Sequence, residues 1–386
     1  MDIALPIQMA LAALAAVLIY TFIGFIPGTD ETSVLMPITL SVVLLGTPPI
    51  VVLTFFIAAI VTLNLTNAIP TALVGLPGGV MSSPMLEHSL LLKTKGLSAV
   101  VIKKMAVGSL IGVVISIPLA LLLANILAPY GEKAQVIAPL LFFLGAVFLS
   151  LIGSNKVLAL LSIVPLAVLF MALRHLYWGI GIVPRDTTIT TSFFLGITIG
   201  PLIVSLFELL NKNKRSLLLR EGVKEITIPK ESLVEGRSLN PFKILTRAEI
   251  KNASLAALIV NPLFVLSPVG LTILVGEAVA KRVKEPTDAA MMAITAMSTL
   301  SQSTYLSGII IPLMAIGIPL SPTAIGPGSA LFNAPPVFSV ENNLHHLLSR
   351  GEFIAAILVG GLLAVGITYF VTNRFATRVR YFPQHK

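Results

Sequence analysis

Long apolar runs constrain this chain more than any other feature of its sequence. Several of them approach or exceed the roughly 20 residues that a helix needs to cross a bilayer. Charged residues make up only 11% of the chain, well below the roughly 25% typical of soluble domains. The sequence therefore predicts an all-α polytopic membrane protein with about 9–11 membrane segments. The predicted spans are Leu5–Ile26, Val34–Leu45, Ile50–Leu65, Leu97–Leu127, Ala134–Ile152, Val157–Leu173, Thr190–Leu210, Leu255–Leu274, Met291–Leu300, Tyr305–Ile318 and Phe353–Thr372.

Basic residues set the predicted orientation. Lysines cluster at 93–104 and arginines at 374–380, and cytoplasmic loops carry an excess of such residues. Placing both clusters inside predicts a plasma-membrane protein with its N-terminus outside and its C-terminus in the cytoplasm. These loops account for the net charge of +9, so we expect contact with membrane lipids and not with nucleic acid. The first apolar run has no preceding basic residue and no cleavage site, which indicates a spanning segment.

Two stretches share an unusual pattern of proline and glycine. Residues 69–78 read IPTALVGLPG and residues 311–320 read IPLMAIGIPL, and in each the two prolines lie seven residues apart. Prolines further upstream keep a similar spacing, because Pro27 precedes Pro77 by 50 residues and Pro268 precedes Pro319 by 51. The matched spacings predict an internal repeat.

The repeat divides the chain into four parts. We expect one copy over residues 1–130 and the other over 252–386, with connecting transmembrane helices at 131–210. Residues 211–251 are polar and basic, which predicts a cytoplasmic linker in which TIPKESLVEGRS fits a small hairpin. The basic clusters orient the copies oppositely. Inverted-topology repeats with broken or re-entrant helices are characteristic of secondary transporters.

The prolines and glycines predict broken helices inside the membrane. Backbone groups freed by a break cost several kcal/mol in lipid unless protein or water satisfies them, so breaks lie where they are buried or line a cavity. Helix starts at Thr29, Ser83 and Ser321 would each offer free N–H groups to an anion. The alternative is a set of packing kinks. The predicted substrate-binding residues are Pro27, Gly28, Thr29, Asn67, Gly75, Pro77, Gly78, Gly79, Ser83, Gln302, Ser303, Gly317, Pro319 and Ser321.

Polar side chains before each break predict an ion site. A run of polar residues inside an apolar segment faces the interior of a helix bundle, where it binds substrate or ion, or joins helices by hydrogen bonds. Acidic residues at the first break either carry a coupling proton or cation, or only begin a helix. The predicted ion-coupling residues are Asp30, Glu31, Asn64, Thr66, Ser301 and Thr304.

The residues favour transport over catalysis. No HExxH, GxSxG or GxxxxGK[ST] motif occurs, there is no cysteine, and the five histidines are scattered, so we expect neither a metal site nor a cofactor. The hypothesis is a secondary transporter of a small organic anion, a carboxylate, coupled to H⁺ or Na⁺. One alternative is a polyprenyl-phosphate (lipid-carrier) translocase with a similar cavity, and another is a scaffold subunit.

A family resemblance supports this interpretation. The stretches GFIPGTDETSVLMPITL, NAIPTALVGLPGGVMSSPMLEHSLLLKTKGLSA and SQSTYLSGIIIPLMAIGIPLSPTAIGPG resemble the large membrane subunit of tripartite tricarboxylate transporters. The resemblance implies ion-coupled carboxylate uptake, together with a small membrane subunit and an extracytoplasmic binding protein as partners. It assigns site roles to Pro27-Gly28-Thr29, Pro77-Gly78-Gly79 and Gly317-Ile318-Pro319. The chain differs at Asp30-Glu31, where the family motif is usually rich in glycine and small residues.

Overall fold

A computed structural model describes residues 4–152, 155–185, 189, 240–339 and 341–379, with single positions between 196 and 211. Within these residues the regular elements are helices, with one isolated β-bridge between Ala334 and Phe338. The predicted span Thr190–Leu210 falls mostly outside the described residues, and the predicted hairpin falls entirely outside them. The α-helices are α1 Ala4–Gly24, α2 Glu31–Leu44, α3 Pro49–Thr66, α4 Ala68–Val74, α5 Leu86–Thr94, α6 Ser98–Leu127, α7 Gly131–Ile152, α8 Lys156–Gly179, α9 Pro241–Ile244, α10 Arg247–Val260, α11 Pro268–Ala280, α12 Pro286–Ala315, α13 Pro322–Ile325, α14 Ser329–Phe332, α15 Leu344–Leu347 and α16 Arg350–Val379. Short 3₁₀ helices cover Val80–Met85, Ala128–Tyr130 and Asn261–Leu263.

Five helical segments among the described residues are long and apolar enough to cross a membrane. The long helix α12 is not one of them, because polar residues occupy its middle. Protein surrounds this helix from Ala293 to Ala315. Helix α8, in contrast, has no buried residue. The architecture is that of a multi-pass membrane protein with a protein-buried centre. The five segments are Ala4–Gly24, Pro49–Val74, Ser98–Ile137, Lys156–Gly179 and Arg350–Arg378.

Glycines let two pairs of helices approach closely. A methyl group built on Gly112 of α6 would lie 2.6 Å from the carbonyl oxygen of Thr299 in α12. One built on Gly360 of α16 would lie 2.5 Å from the carbonyl oxygen of Thr54 in α3. Small residues at such contacts are the usual means of packing membrane helices tightly. The long helix of each half therefore packs against the final helix of the other half.

Three predicted spans have wrong boundaries. Leu255–Leu274 is interrupted, because α10 ends at Val260 and α11 begins at Pro268, where Ser267 accepts a hydrogen bond from the Gly270 N–H at 3.2 Å. Proline at the first helical position favours such a restart.

Met291–Leu300 and Tyr305–Ile318 are instead parts of the single helix α12. The polar run between them does not break the helix, since Ser303 and Thr304 donate to carbonyl oxygens one turn earlier, at 2.9 Å each. Serine and threonine hydroxyls satisfied in this way are compatible with a helix interior.

Two close contacts between polar side chains join distant helices. Lys104, predicted to lie in a cytoplasmic cluster, is buried in the protein and pairs with Glu249 at the start of α10. In α11, Oε1 of Glu277 lies 2.7 Å from Nε2 of His88 in α5, because α5 packs beside the second half of the chain.

Candidate functional site

The two Pro-Gly motifs of the first half lie against each other. The Gly28 N–H donates to the Pro77 carbonyl at 3.0 Å, and the Thr29 hydroxyl donates to the Gly78 carbonyl at 3.3 Å. Gly28 has φ +84°, a left-handed conformation that favours glycine. The sequence-predicted site residues around Pro27 and Pro77 are thus brought together.

Asn67 and Glu31 close around Gly79 at this junction. A methyl group on Gly79 would lie 2.5 Å from Nδ2 of Asn67 and 2.9 Å from Cδ of Glu31, and closer still to the Glu31 Oε1. Gly79 has an ordinary extended backbone, with φ −145°. Glycine is therefore required here for space and not for backbone conformation.

The carboxylate of Glu31 is the most unusual group in the junction. Its side chain is 1% exposed, and its two oxygens accept the N–H groups of Val80 and Met81, each at 3.1 Å. Hydrogen bonds to a carboxylate are roughly twice as strong as neutral ones. The neighbouring Asp30 has a different role, because it caps α2 by accepting the Ser33 N–H at 3.0 Å.

Two predicted helix starts of the first half need correction. Thr29 was predicted to supply the capping hydroxyl of α2, but Asp30 provides that cap and the Thr29 hydroxyl bonds to Ile26 and Gly78. Ser83 was predicted to begin a helix, but it lies inside the 3₁₀ helix and is exposed. The N–H groups of the helix start come one turn earlier, after Gly79, because the chain leaves its extended conformation there, and Glu31 accepts two of them.

The second break follows α12. Gly317 adopts φ +80°, and Ser321 caps α13 as predicted, accepting the Ala324 N–H at 3.0 Å. The Ser321 hydroxyl also donates to the carbonyl oxygen of Gly308. Helix α13 has only four residues, so it does not provide the extended helix dipole that the prediction assumed.

Protein groups satisfy the carbonyl oxygens released at the second break. Gln135 donates to Ile316 at 2.7 Å, Asn343 donates to Gly317 at 2.9 Å, and Nδ1 of His345 lies 3.0 Å from the Leu313 carbonyl oxygen. A cavity of about 480 Å³ opens beside this break, and its polar lining includes Gln135, Glu132, His345, His346 and Arg350.

A polar layer lies between the two breaks. Gln302 of α12 donates through Nε2 to the Val61 carbonyl at 2.9 Å and to the Ser109 hydroxyl at 2.7 Å, which joins α3, α6 and α12. Asn67 follows Val61 by six residues and Gly308 follows Gln302 by six, about 9 Å of helix in each case. The segments that follow the two breaks approach each other, because a methyl group on Gly326 would lie 3.2 Å from Oγ1 of Thr32.

Several predicted polar residues carry buried atoms without a hydrogen-bond partner among the described residues. They are both side-chain atoms of Asn64, Nδ2 of Asn67, Oγ of Ser301 and Oε1 of Gln302. Such atoms are uncommon in native proteins, and a water, an ion or a ligand can satisfy them. Thr66, Ser303 and Thr304 differ, since their hydroxyls bond to helix carbonyls.

Asn261 is a polar residue of the buried layer that the sequence interpretation missed. It lies in the interruption before α11, where Nδ2 donates to the Ser116 hydroxyl at 3.0 Å and Oδ1 has no partner among the residues described. The Asn261-Pro262 dipeptide inside an apolar run was the available signal. Over the described ranges, no group of three or more His, Cys, Asp or Glu residues is arranged to hold a metal ion.

Comparison with known families identifies the family of this chain. A model of the tripartite tricarboxylate transporter TctA family matches residues 10–385. The chain belongs to the TctA family. This family consists of transporter subunits of the tricarboxylate type, which confirms the resemblance noted in the sequence. No curated protein and no solved structure matches this TctA-family chain.

Proposed function

We propose that this TctA-family protein is an ion-coupled secondary transporter of a small organic anion, a carboxylate, working by alternating access with H⁺ or Na⁺. The observation that carries the proposal is the meeting of two broken segments beside a buried layer of unpartnered polar atoms. Non-helical backbone at membrane depth is tolerated where it is buried or lines a cavity. Because a scaffold protein has no use for such unpartnered atoms, transport explains the arrangement better.

The order of elements supports the repeat. The first half contains, in order, a helix, a break, a short helix, a long helix, a second break and a closing helix. The same order recurs from α10 to α16. The short helices α2 and α11 have 14 and 13 residues, and the closing helices α6 and α16 have 30 each. This similarity favours two copies of one unit, as the proline spacings predict.

Helix directions support the inversion. Helices α6 and α12 run parallel, because Met105 meets Ser298 and Gly112 meets Gln302 further along. Helix α3 runs antiparallel to α6. Val61 of α3 lies at the level of Ser109 of α6, because Gln302 bonds to both. Ile57, earlier in α3, lies near Ile117, later in α6, because both side chains lie beside Gly361. The equivalent long helices α3 and α12 are therefore antiparallel, which an inverted repeat requires.

Residue roles in the proposal follow the geometry. The Pro-Gly motifs and Asn67 form the anion site, Gln302 and Ser301 line its other side, and Glu31 is the ion-coupling acid. The second-break residues Gly317, Pro319 and Ser321, with Ser303, would shape the opposite gate. Gly75 has φ +72° and ends α4 in a left-handed turn, which returns the chain to the site.

The proposal includes partners and orientation. Helix α8 presents apolar side chains all round, with Val157 72% and Leu161 67% exposed, which suits membrane lipid or the small membrane subunit of a tripartite system. An extracytoplasmic binding protein would deliver the anion. The N-terminus would face outside and the C-terminus the cytoplasm.

Uptake into proteoliposomes tests the function. We expect the purified chain to take up radiolabelled succinate or citrate when a Na⁺ or pH gradient is imposed. The double variant Gln302→Ala with Asn67→Ala should lower uptake at least tenfold, whereas Asn125→Ala removes an exposed amide and should leave it unchanged. Uptake that survives the double variant would refute the assignment of the site, and binding of polyprenyl phosphate alone would favour a lipid-carrier translocase.

A further inference from the structure

The buried carboxylate of Glu31 suggests how transport is coupled, given the proposed function. We infer that Glu31 is a resident anion that occupies the carboxylate-binding groups of the site, and that a substrate carboxylate replaces it only after Glu31 takes up a proton. The coupling ion is then H⁺, with one proton moving for each carboxylate bound in this position.

The geometry shows that these groups bind a carboxylate. Both oxygens of Glu31 accept peptide N–H groups, those of Val80 and Met81, at 3.1 Å each. The same two donors would suit a substrate carboxylate equally well, because the chemical group is identical. The site in its present state is therefore filled by the protein itself.

An unpartnered donor beside Glu31 provides an independent indication. Nδ2 of Asn67 is buried in a side chain that is 1% exposed and has no partner in the described structure. It lies on the same side of Gly79 as the Glu31 carboxylate, since a methyl group on Gly79 would contact both. Glu31 does not accept a hydrogen bond from this third donor, whereas a substrate carboxylate has lone pairs to do so.

The charges around Glu31 explain why protonation and binding go together. Asp30 adds a second negative charge, with its carboxylate engaged by the Ser33 N–H, and Tyr305 of α12 lies within electrostatic reach of both acids. In the part of the chain that the structure describes, no Lys, Arg or His forms an ion pair with Glu31. A second anion beside ionised Glu31 would meet uncompensated repulsion, which a proton on Glu31 removes.

The exchange balances in charge and protons. A proton from the loading side adds to a Glu31 oxygen, and the neutral acid gives up the N–H groups of Val80 and Met81. The substrate carboxylate accepts those hydrogen bonds and one from Asn67. On the release side the substrate leaves, Glu31 loses its proton to water, and its carboxylate binds the two N–H groups again.

Succinate binding as a function of pH tests the inference on the full chain. As the pH rises we expect the wild-type Kd for succinate to rise, by up to about tenfold per pH unit, as linkage to one proton requires. Uptake should acidify the vesicle lumen, reported by a trapped pH dye. Glu31→Gln should bind succinate without pH dependence and move it without protons, while the exposed Glu87→Gln behaves as wild type.

The outcomes separate this inference from the proposed function. Wild-type uptake of succinate that is independent of pH and moves no protons would overturn the role of Glu31 and leave the transporter standing. Proton movement retained in Glu31→Gln would do the same. Binding of neither succinate nor citrate at any pH, with or without Na⁺, would refute the proposed function itself. The wild-type measurements decide even where a variant does not fold.

Discussion

Replacing Gly79 with alanine tests the packing of the site. The added methyl group would lie 2.5 Å from Nδ2 of Asn67 and 2.9 Å from Cδ of Glu31. These distances are too short for non-bonded atoms, so the methyl group or one of the two side chains must move. Both neighbours are buried, so neither can swing into solvent. The expected result is that the Glu31 carboxylate leaves the N–H groups of Val80 and Met81.

The magnitude follows from two costs. Overpacking of a buried site costs about 1–3 kcal/mol, and each lost hydrogen bond to a charged group costs about 1.5–3 kcal/mol. With both hydrogen bonds lost, a total of about 4–9 kcal/mol should lower the melting temperature by at least about 5 °C. Thermal unfolding of the purified protein in detergent, followed by light scattering or intrinsic fluorescence, measures this shift.

Gly366→Ala is the matched control. Gly366 lies in α16, and a methyl group there meets nothing within 4 Å, so the change should be neutral or stabilise the helix by up to about 1 kcal/mol. If Gly79→Ala melts at the same temperature as Gly366→Ala, the close contact between Gly79 and Glu31 is wrong, and with it the geometry of the site.

Two further predictions concern charged groups outside the site. Lys104→Met should lower the free energy of unfolding by about 3–5 kcal/mol, because it leaves Glu249 buried and unpaired. In denaturant unfolding, the double variant with Glu249→Leu should recover much of this loss. Equal losses in the single and double variants would contradict the pair. Burial lowers the pKa of His345 below its usual value of about 6.5, so the unfolded chain binds the proton more readily. Stability should be full above the unfolded pKa and fall as the pH drops through the lowered folded pKa. The melting temperature should drop less on acidification in His345→Asn, which keeps a donor for Leu313, than in wild type.

Local signals predicted the two breaks well. Proline and glycine restrict or free the backbone at their own positions, so the spacings of Pro77 and Pro319 located interruptions that are present in the structure. The polar run before Pro312 misled the prediction, because hydroxyls bonded to their own helix look the same in sequence as hydroxyls facing a cavity.

The partners of Glu31 could not be predicted. They lie 49 and 50 residues away, and no periodic pattern relates one acidic residue to two peptide N–H groups at that distance. The sequence identified Glu31 as an acid at a helix start, which is where it lies, but only the folded contact distinguishes it from Asp30, its neighbour and the true cap.

The long helix of each half packs against the final helix of the other half, and this arrangement has a consequence for biosynthesis. Helix α3 is made early, and its partner surface around Gly360 emerges about 300 residues later, a delay of roughly 15–60 s at ordinary translation speeds. During that time α1 and α2 already pack against α3, and only the face of α3 that later meets α16 is left to lipid or to the insertion machinery, which its apolar composition permits. A ribosome that stops before α16 thus leaves behind a chain whose first half is inserted but lacks one of the helices that cover α3.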